Sequence, residues 1–463
     1  MDNNTNQEEL ETLRDKVREV TIQIMCNVQQ RTQLARKIGE IKSTLGIDIK
    51  DEKVEQDVRI RVLSLADEIG MRHEFALQLL NILLAESENV QVEKQAQKMT
   101  QKQTHLSIFA KAKQLEASGK RVIHMEVGEP DYSPPAIVGK ALKESFGLRQ
   151  YHYTDTYGIS ELRDSIALKQ GTSISKEQVI VTPGGRFAVF SAITSLLTPG
   201  QELIVIQPAW PAYKECADLV GIRTRVLHTT LENGWKPDIE QLEEMVNQST
   251  KMIALNYPNN PTGKVLDTQT MQGIVNIAQD HHLYLLSDEV YADYSFVKFN
   301  SILKYAYDKS ILVGSFSKRY AMTGFRVGYG IANKDIVSKM AKVQAAGVTS
   351  VAQPMQQAAL AALEADPSEN IKLMKGRLDL VCSKLKEMSL RFVEPEGAMY
   401  VFAKLPIGFD MPVVEKLLDQ GVAIAPGSGF GDPYKQFVRI SACQPEEKLE
   451  KGLGIMASVI RED

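Results

Sequence analysis

The chain has 463 residues, 43% hydrophobic and 24% charged, which suits a soluble globular protein of about two or three domains. A formal net charge of −4 argues against nucleic acid as a partner, and no apolar run is long enough to span a bilayer, so no membrane partner is expected. Four scattered cysteines (Cys26, Cys216, Cys382, Cys443) show no CxxC spacing, and the start Met1-Asp2-Asn3-Asn4 is polar. A reducing cytoplasmic setting is expected, with neither disulfides nor a metal site.

From Leu10 to Met99 there is no proline, and apolar residues recur at helical spacing. Leu34, Ile38, Ile41 and Leu45 form one set, Val58, Val62, Leu65 and Ile69 a second, Leu77, Leu80 and Leu84 a third. The spacing predicts three helices, over about 10–45, 51–69 and 73–98, broken at Gly46 and Gly70. The first would be roughly 50 Å long at ~1.5 Å per residue. A helix that long, with two partners in its own chain, needs more burial, and an intertwined homodimer supplies it. The polar segment 92–104 is expected to extend the third helix as a linker.

Past residue 100 short apolar strands alternate with helical patterns: Gln178 to Val181, Leu203 to Ile206, Met252 to Leu255, Leu283 to Leu286, Ile311 to Val313 and Val327 to Tyr329. This predicts an α/β domain with a mostly parallel sheet and a ligand at the carboxyl ends of its strands.

The run Gly314-Ser315-Phe316-Ser317-Lys318, with Arg326 eight residues on, follows one of those strands. A lysine amine can form a Schiff base with an aldehyde cofactor, and serine hydroxyls and a guanidinium are what a phosphate needs. Asp288 ends the strand Leu285-Leu286-Ser287-Asp288, where a carboxylate can keep a pyridine nitrogen protonated. Tyr291 and Asn260 are candidates for the ring's phenolic oxygen. Gly184 and Gly185 let backbone amides approach a phosphate at a helix N-terminus, and Trp210 can stack on a ring. Arg439, a cation inside Phe437-Val438-Arg439-Ile440-Ser441, needs a carboxylate partner such as a substrate would bring. Taken singly, each residue also fits a turn, a core position, a helix cap or a structural ion pair. Their joint order is what points to pyridoxal 5′-phosphate.

Over roughly 100–463 these landmarks, together with Gly128-Glu129-Pro130-Asp131 and Asn260-Pro261-Thr262-Gly263, resemble the fold-type I, class I/II aminotransferases. The resemblance implies that Lys318 is the Schiff-base lysine and proton shuttle, and that Asp288 pairs with the ring nitrogen. Tyr291 and Asn260 would hold the phenolic oxygen, and Trp210 would stack on the ring. Ser315, Ser317, Arg326 and the amide beside Gly184 and Gly185 would hold the phosphate. Tyr153 would reach the phosphate of a partner subunit, Arg439 with the backbone at Gly128 would clamp the substrate's α-carboxylate, and Arg186 would face the phosphate or the substrate side chain.

In the helical region Arg31 and Lys42 are eleven residues apart and share a helix face, about 16 Å apart at ~1.5 Å per residue. Arg14 lies roughly 100° around from Arg31 and can serve a partner's pocket in a dimer. Asp51 and Glu55 share a face of the second helix, and Ser87 and Gln91 share one of the third. Across about 8–95 this register resembles the all-helical chorismate mutases. It implies that Lys42 and Gln91 meet the breaking ether oxygen, that Arg31, Ser87 and Arg14 bind carboxylates, and that Glu55 and Asp51 take the hydroxyl. Val54 departs from the pattern, standing where the family usually has an arginine.

The expected architecture is multidomain. An all-α mutase-like domain (1–95) precedes an α/β aminotransferase domain (96–463), whose large part spans about 145–335 and whose small α+β part spans about 105–144 and 336–463. The expected function is bifunctional, with chorismate going to prephenate and an amino group passing to an aromatic keto acid, prephenate, or the aspartate/glutamate pair. Small molecules (chorismate, amino acids, keto acids) are the expected ligands. The alternatives are a non-catalytic helical domain for dimerisation or sensing, a cofactor-binding transcription regulator, and a lyase or decarboxylase using the same cofactor.

Overall fold

The computed structural model describes residues 2–45, 52–98, 105–171, 174–406 and 408–462. The chain divides into two compact units, Met1–Lys102 and Gln103–Asp463.

The first unit is three helices: α1 (Asp2–Leu45), α2 (Glu52–Ile69) and α3 (His73–Lys98). α1 begins at Asp2, earlier than the apolar spacing marks, because Asp2–Glu9 holds no proline or glycine to break a helix. α2 ends at Gly70, whose φ of 71° is the left-handed conformation glycine adopts freely. The Met71 amide returns to the Ala66 carbonyl at 2.8 Å and closes that end. α3 packs against both other helices. The core between them is thin: Ala35, Ala66, Ala76, Leu80 and Val90 are buried. Gly46, Asp51 and the linker stretch 99–104 lie outside the described residues.

The second unit opens with α4 (His105–Ala117) and β1 (Ile123–Met125). A seven-stranded sheet follows, from β2 (Val179–Thr182), β3 (Glu202–Gln207), β4 (Arg223–His228), β5 (Thr250–Asn256), β6 (Tyr284–Asp288), β7 (Ser310–Ser315) and β8 (Gly328–Ile331). Its order is β2-β8-β7-β6-β5-β3-β4, parallel throughout except β8, which runs antiparallel to both neighbours. All six apolar runs found in the sequence are strands of this sheet. β4 escaped the search because Arg223-Thr224-Arg225 carries charge, as suits the edge position it occupies.

A second, five-stranded sheet joins β1 to β9 (Arg391–Phe392), β10 (Tyr400–Lys404), β11 (Val422–Pro426) and β12 (Phe437–Ser441), in the order β1-β11-β12-β10-β9. Among the described residues no helix is long and apolar enough to cross a membrane.

Candidate active site

Three parallel strands end side by side. β5 ends at Asn256, β6 at Asp288 and β7 at Ser315, with Asn256 opposite Asp288 in register. Their carboxyl ends open onto a cavity of about 320 Å³. β12 of the second sheet brings Arg439 to the same space, and the loop after β1 brings Gly128.

Lys318 sits on a single helical turn, Phe316–Arg319, directly after β7. Ser315 caps that turn by accepting from the Ser317 amide at 3.1 Å. Tyr294 donates to the Lys318 carbonyl at 3.0 Å, and the Lys318 amine donates to the Gly128 carbonyl. Burial pushes the amine below its ordinary value, which favours the neutral form that a nucleophile or base requires.

Asp288 is buried at the cavity floor. Tyr213 donates to its Oδ2 at 2.6 Å, and the Val290 amide reaches Oδ1 at 3.3 Å. Burial pushes this carboxyl up to about 6, against the pull of the Tyr213 hydroxyl and the Lys318 charge. A carboxylate desolvated in this way waits for a cationic partner.

The sign of that shift gives a test. A native carboxyl that holds its proton more tightly than the unfolded chain contributes stability below ~4, and loses it as pH rises through about 6. Cofactor-free Asp288→Asn should therefore lose about 1–2 kcal/mol less than wild type between pH 5 and pH 8. Urea unfolding at the two pH values reads the difference, and equal losses would refute the buried-charge account. Glu289, pushed up to about 7 by burial and in part by the Asp288 charge, also titrates in this range, so Glu289→Gln is carried in both proteins to isolate Asp288.

On the phosphate side the helix Gly185–Leu196 begins beside Arg326. Gly184 has a φ of 80°, and a Cβ there would lie 2.6 Å from Arg326 Nη2. Glycine at this position lets the guanidinium lie against the helix N-terminus, and two positive features then converge on one anion position. Ser315 and Ser317 line the same cavity.

Arg439 is buried and bound to neutral groups. Its Nη1 donates to Asn260 Oδ1 at 2.8 Å, its Nη2 donates to the Glu126 carbonyl, and its Nε has no partner. Tyr400 and Phe430 stack on it, 4.4 and 4.9 Å from ring centroid to guanidinium carbon. None of these contacts neutralises the charge.

Of the residues singled out in this unit, Gly128, Gly185, Arg186, Trp210, Asn260, Asp288, Tyr291, Ser315, Ser317, Lys318, Arg326 and Arg439 all line the cavity, and Gly184 adjoins it. Arg186 lies over Trp210, 4.4 Å from its ring centroid, and approaches Glu215 at 3.4 Å. Tyr153 does not line the cavity and is 90% exposed. Reading the sequence missed Tyr213, Asn256, Glu126 and Tyr400. Tyr213 stands three residues after Trp210, and nothing local marks it as the partner of a carboxylate on another strand.

In the first unit Arg31 and Ser87 come together. The Arg31 guanidinium donates to the Ser87 hydroxyl and the Leu83 carbonyl, both neutral, and burial lowers its pKa. Lys42 and Glu55 are half-buried and engaged, Arg14 is exposed, and Val54 is 57% exposed. Arg59, one turn after Glu55, donates to Asn81 on α3 at 2.9 Å, a link that the sequence pattern did not single out. Gln91 lies on α3 with its side chain outside the described residues, as is the whole of Asp51.

A cavity at the carboxyl ends of parallel strands, with a desolvated lysine, a buried carboxylate and three guanidinium groups, defines an enzyme for small anionic ligands. More particularly, the chain belongs to the class I and II aminotransferases, whose family model matches residues 120–455. Residues 13–92 match the chorismate mutase type II family, so a mutase-type helical unit precedes the aminotransferase in one chain.

Similar proteins include the aspartate aminotransferase of Thermotoga maritima, 37% identical over 356 residues, covering 75% of this chain and 94% of that protein. The aspartate/prephenate aminotransferase of Thermus thermophilus is 33% identical over 368 residues, covering 77% of this chain and 95% of that protein. The crystal structure of the Thermotoga enzyme is similar with a TM-score of 0.74 at 36% identity, covering 77% of this chain and 96% of that one. The aspartate aminotransferase of Thermus thermophilus with maleate is similar with a TM-score of 0.74 at 32% identity, with the same coverage.

Proposed function

We propose that the chain is a bifunctional enzyme of aromatic amino-acid synthesis, converting chorismate to prephenate in its helical unit and transaminating prephenate or an arylpyruvate in its second unit. The observation that carries the second activity is Arg439. It is a buried guanidinium held only by neutral groups, in the same cavity as the desolvated Lys318. An α-carboxylate supplies the missing charge and brings an α-carbon to the amine.

The residues fit pyridoxal 5′-phosphate, the cofactor of the family. Asp288 is a buried carboxylate awaiting a cation, and the helix start at Gly184 with Arg326 offers a place for a phosphate. Bound there, the cofactor would supply an electron sink for charge developing at the α-carbon. Asp288 would face the ring nitrogen, Asn260 and Tyr291 the phenolic oxygen, and Trp210 the ring face. Arg326, Ser315, Ser317 and the Gly185 amide would hold the phosphate. Lys318 would hold the cofactor covalently and then take and return the α-proton, and the low basicity of its amine suits both tasks. Arg186, already stacked on Trp210, would border the substrate side chain.

The helical unit needs no nucleophile or metal for a pericyclic rearrangement, only a cationic, shaped pocket. Arg31 and Ser87 would bind a carboxylate, Lys42 and Gln91 the ether oxygen, and Glu55 and Asp51 the hydroxyl. A homodimer, placed in the cytoplasm, completes the reading. Leu10, Leu13, Val17, Val20 and Ile24 of α1 recur at alternating spacings of three and four, each 47–65% exposed. That is the seam of a paired helix, and a second copy would cover it and accept Arg14. The exposed Tyr153 would likewise reach a partner's phosphate.

A keto-acid panel tests the transaminase assignment. With glutamate or aspartate as donor, prephenate or an arylpyruvate should be aminated at least as efficiently as oxaloacetate, by kcat/KM. Amination of oxaloacetate or 2-oxoglutarate alone would leave an aspartate aminotransferase and refute the aromatic assignment. The second reading, a helical unit that binds without turnover, is favoured by Val54 at a position where the family carries a cation.

A further inference from the structure

We propose that Tyr400 is a positioning residue for two parts of the site at once: it turns the single hydroxyl proton of Tyr291 toward the cofactor and backs the Arg439 guanidinium. The inference rests on the cofactor reading above and deepens it.

Tyr400 opens β10, which pairs antiparallel with β12 so that Phe402 stands opposite Arg439. Tyr400 and Arg439 are therefore diagonal neighbours on one face of the sheet. That register lays the phenol ring on the guanidinium, at 4.4 Å. At the other end of the ring, the hydroxyl lies 2.7 Å from the Tyr291 hydroxyl, and both are buried. The same hydroxyl presses on Gly128, where a Cβ would come within 1.7 Å of it. The Gly128 carbonyl is in turn the acceptor for Lys318. One phenol thus touches the neighbours of both reactive ends, and Gly128 is glycine because that phenol occupies the space a side chain would take.

Each of the two phenols has one proton, so the direction of their hydrogen bond decides what Tyr291 can do. Burial raises both hydroxyls, and the Arg439 charge opposes the rise at each. The asymmetry is geometric: the guanidinium lies on the Tyr400 ring, and a cation stacked on a phenol makes its hydroxyl the better donor. In the proposed arrangement Tyr400 donates, and Tyr291 keeps its own proton free for an oxygen anion in the cavity. The stacked cation strengthens this by drawing charge from the Tyr400 ring, so the carboxylate clamp and the phenolic-oxygen donor are coupled through one side chain.

The experiment uses full-length wild type, Tyr400→Phe, Tyr291→Phe, the double variant and Tyr400→Leu, each loaded with pyridoxal 5′-phosphate. The visible absorbance of the lysine-linked cofactor is titrated against pH. Tyr400→Phe should raise the midpoint by about half to one pH unit, the size of one hydrogen bond, and should add nothing in the Tyr291→Phe background. Maleate, a dicarboxylate probe, should bind Tyr400→Phe within about twofold of wild type, because the ring still backs Arg439, and bind Tyr400→Leu roughly tenfold more weakly. A Tyr400→Phe titration matching wild type, or an equal shift with and without Tyr291, would overturn the proposal. A wild type that gains no visible band at all overturns the cofactor assignment itself, and that outcome is distinguished by the missing band.

Discussion

Replacing Lys318 with alanine is expected to abolish transamination, lowering the rate by roughly four orders of magnitude, the upper range for a positioned general base. The size follows from two tasks that meet in one amine. It would hold the cofactor covalently and move the α-proton, and among the cavity-lining residues only Lys318 is a lysine. Its carbonyl is fixed by Tyr294 and its amine reaches the Gly128 carbonyl, which holds the amine inside the cavity. The visible band of the linked cofactor should vanish while added pyridoxal 5′-phosphate still binds, held by the phosphate and ring contacts. Absorbance and equilibrium dialysis read these two outcomes separately. A thermal melt of the full chain, compared with cofactor-free wild type, serves as the control for folding. A variant that retains a tenth of wild-type transamination would refute the assignment of Lys318.

The parts of this site that were legible in the sequence are those where a short apolar strand stops on a polar residue. Leu285-Leu286-Ser287-Asp288 and Ile311-Leu312-Val313-Gly314-Ser315 announce both the strand and its polar end, because a buried parallel strand that stops on a carboxylate or a hydroxyl places that group at the ligand edge of the sheet. Tyr400 carried no such mark. It sits at the start of an ordinary strand, and its meaning arises from the register of β10 against β12 and from Tyr291, more than a hundred residues away. Tyr213 is the same case: its partner Asp288 lies 75 residues on. Register and cross-strand contact are non-local, and periodicity carries no information about them. β4 was hidden for a different reason, since an edge strand with charged residues loses the apolar signature by which strands are found. In the helical unit the register of charged and polar residues was legible, and the contact of Arg31 with Ser87 places two of them together. Exposed Arg14 makes sense in the proposed site only when a second copy is supplied.

Arg31→Ala should lower chorismate turnover by roughly 10²- to 10³-fold, the usual cost of removing one preorganised cationic donor. Arg31 is half-buried, its pKa is lowered by desolvation, and its partners on α3, the Ser87 hydroxyl and the Leu83 carbonyl, are neutral. A cation held in that way is stabilised by an incoming carboxylate and destabilised without one. Because Arg31 also ties α1 to α3, a thermal melt must accompany the assay. Ser87→Ala is the companion variant, since it removes one of the two ties, leaves the bond to the Leu83 carbonyl and keeps the cation, and should cost about tenfold or less. Val54 sets the other arm. If wild type turns over chorismate slowly, Val54→Arg should raise the rate by returning a guanidinium to the face shared with Glu55. If wild type produces no prephenate and Val54→Arg produces none either, the helical unit is a dimerisation or sensing module. Arg31→Ala would then change chorismate affinity alone, and the aromatic assignment of the aminotransferase would have to stand on its keto-acid preference.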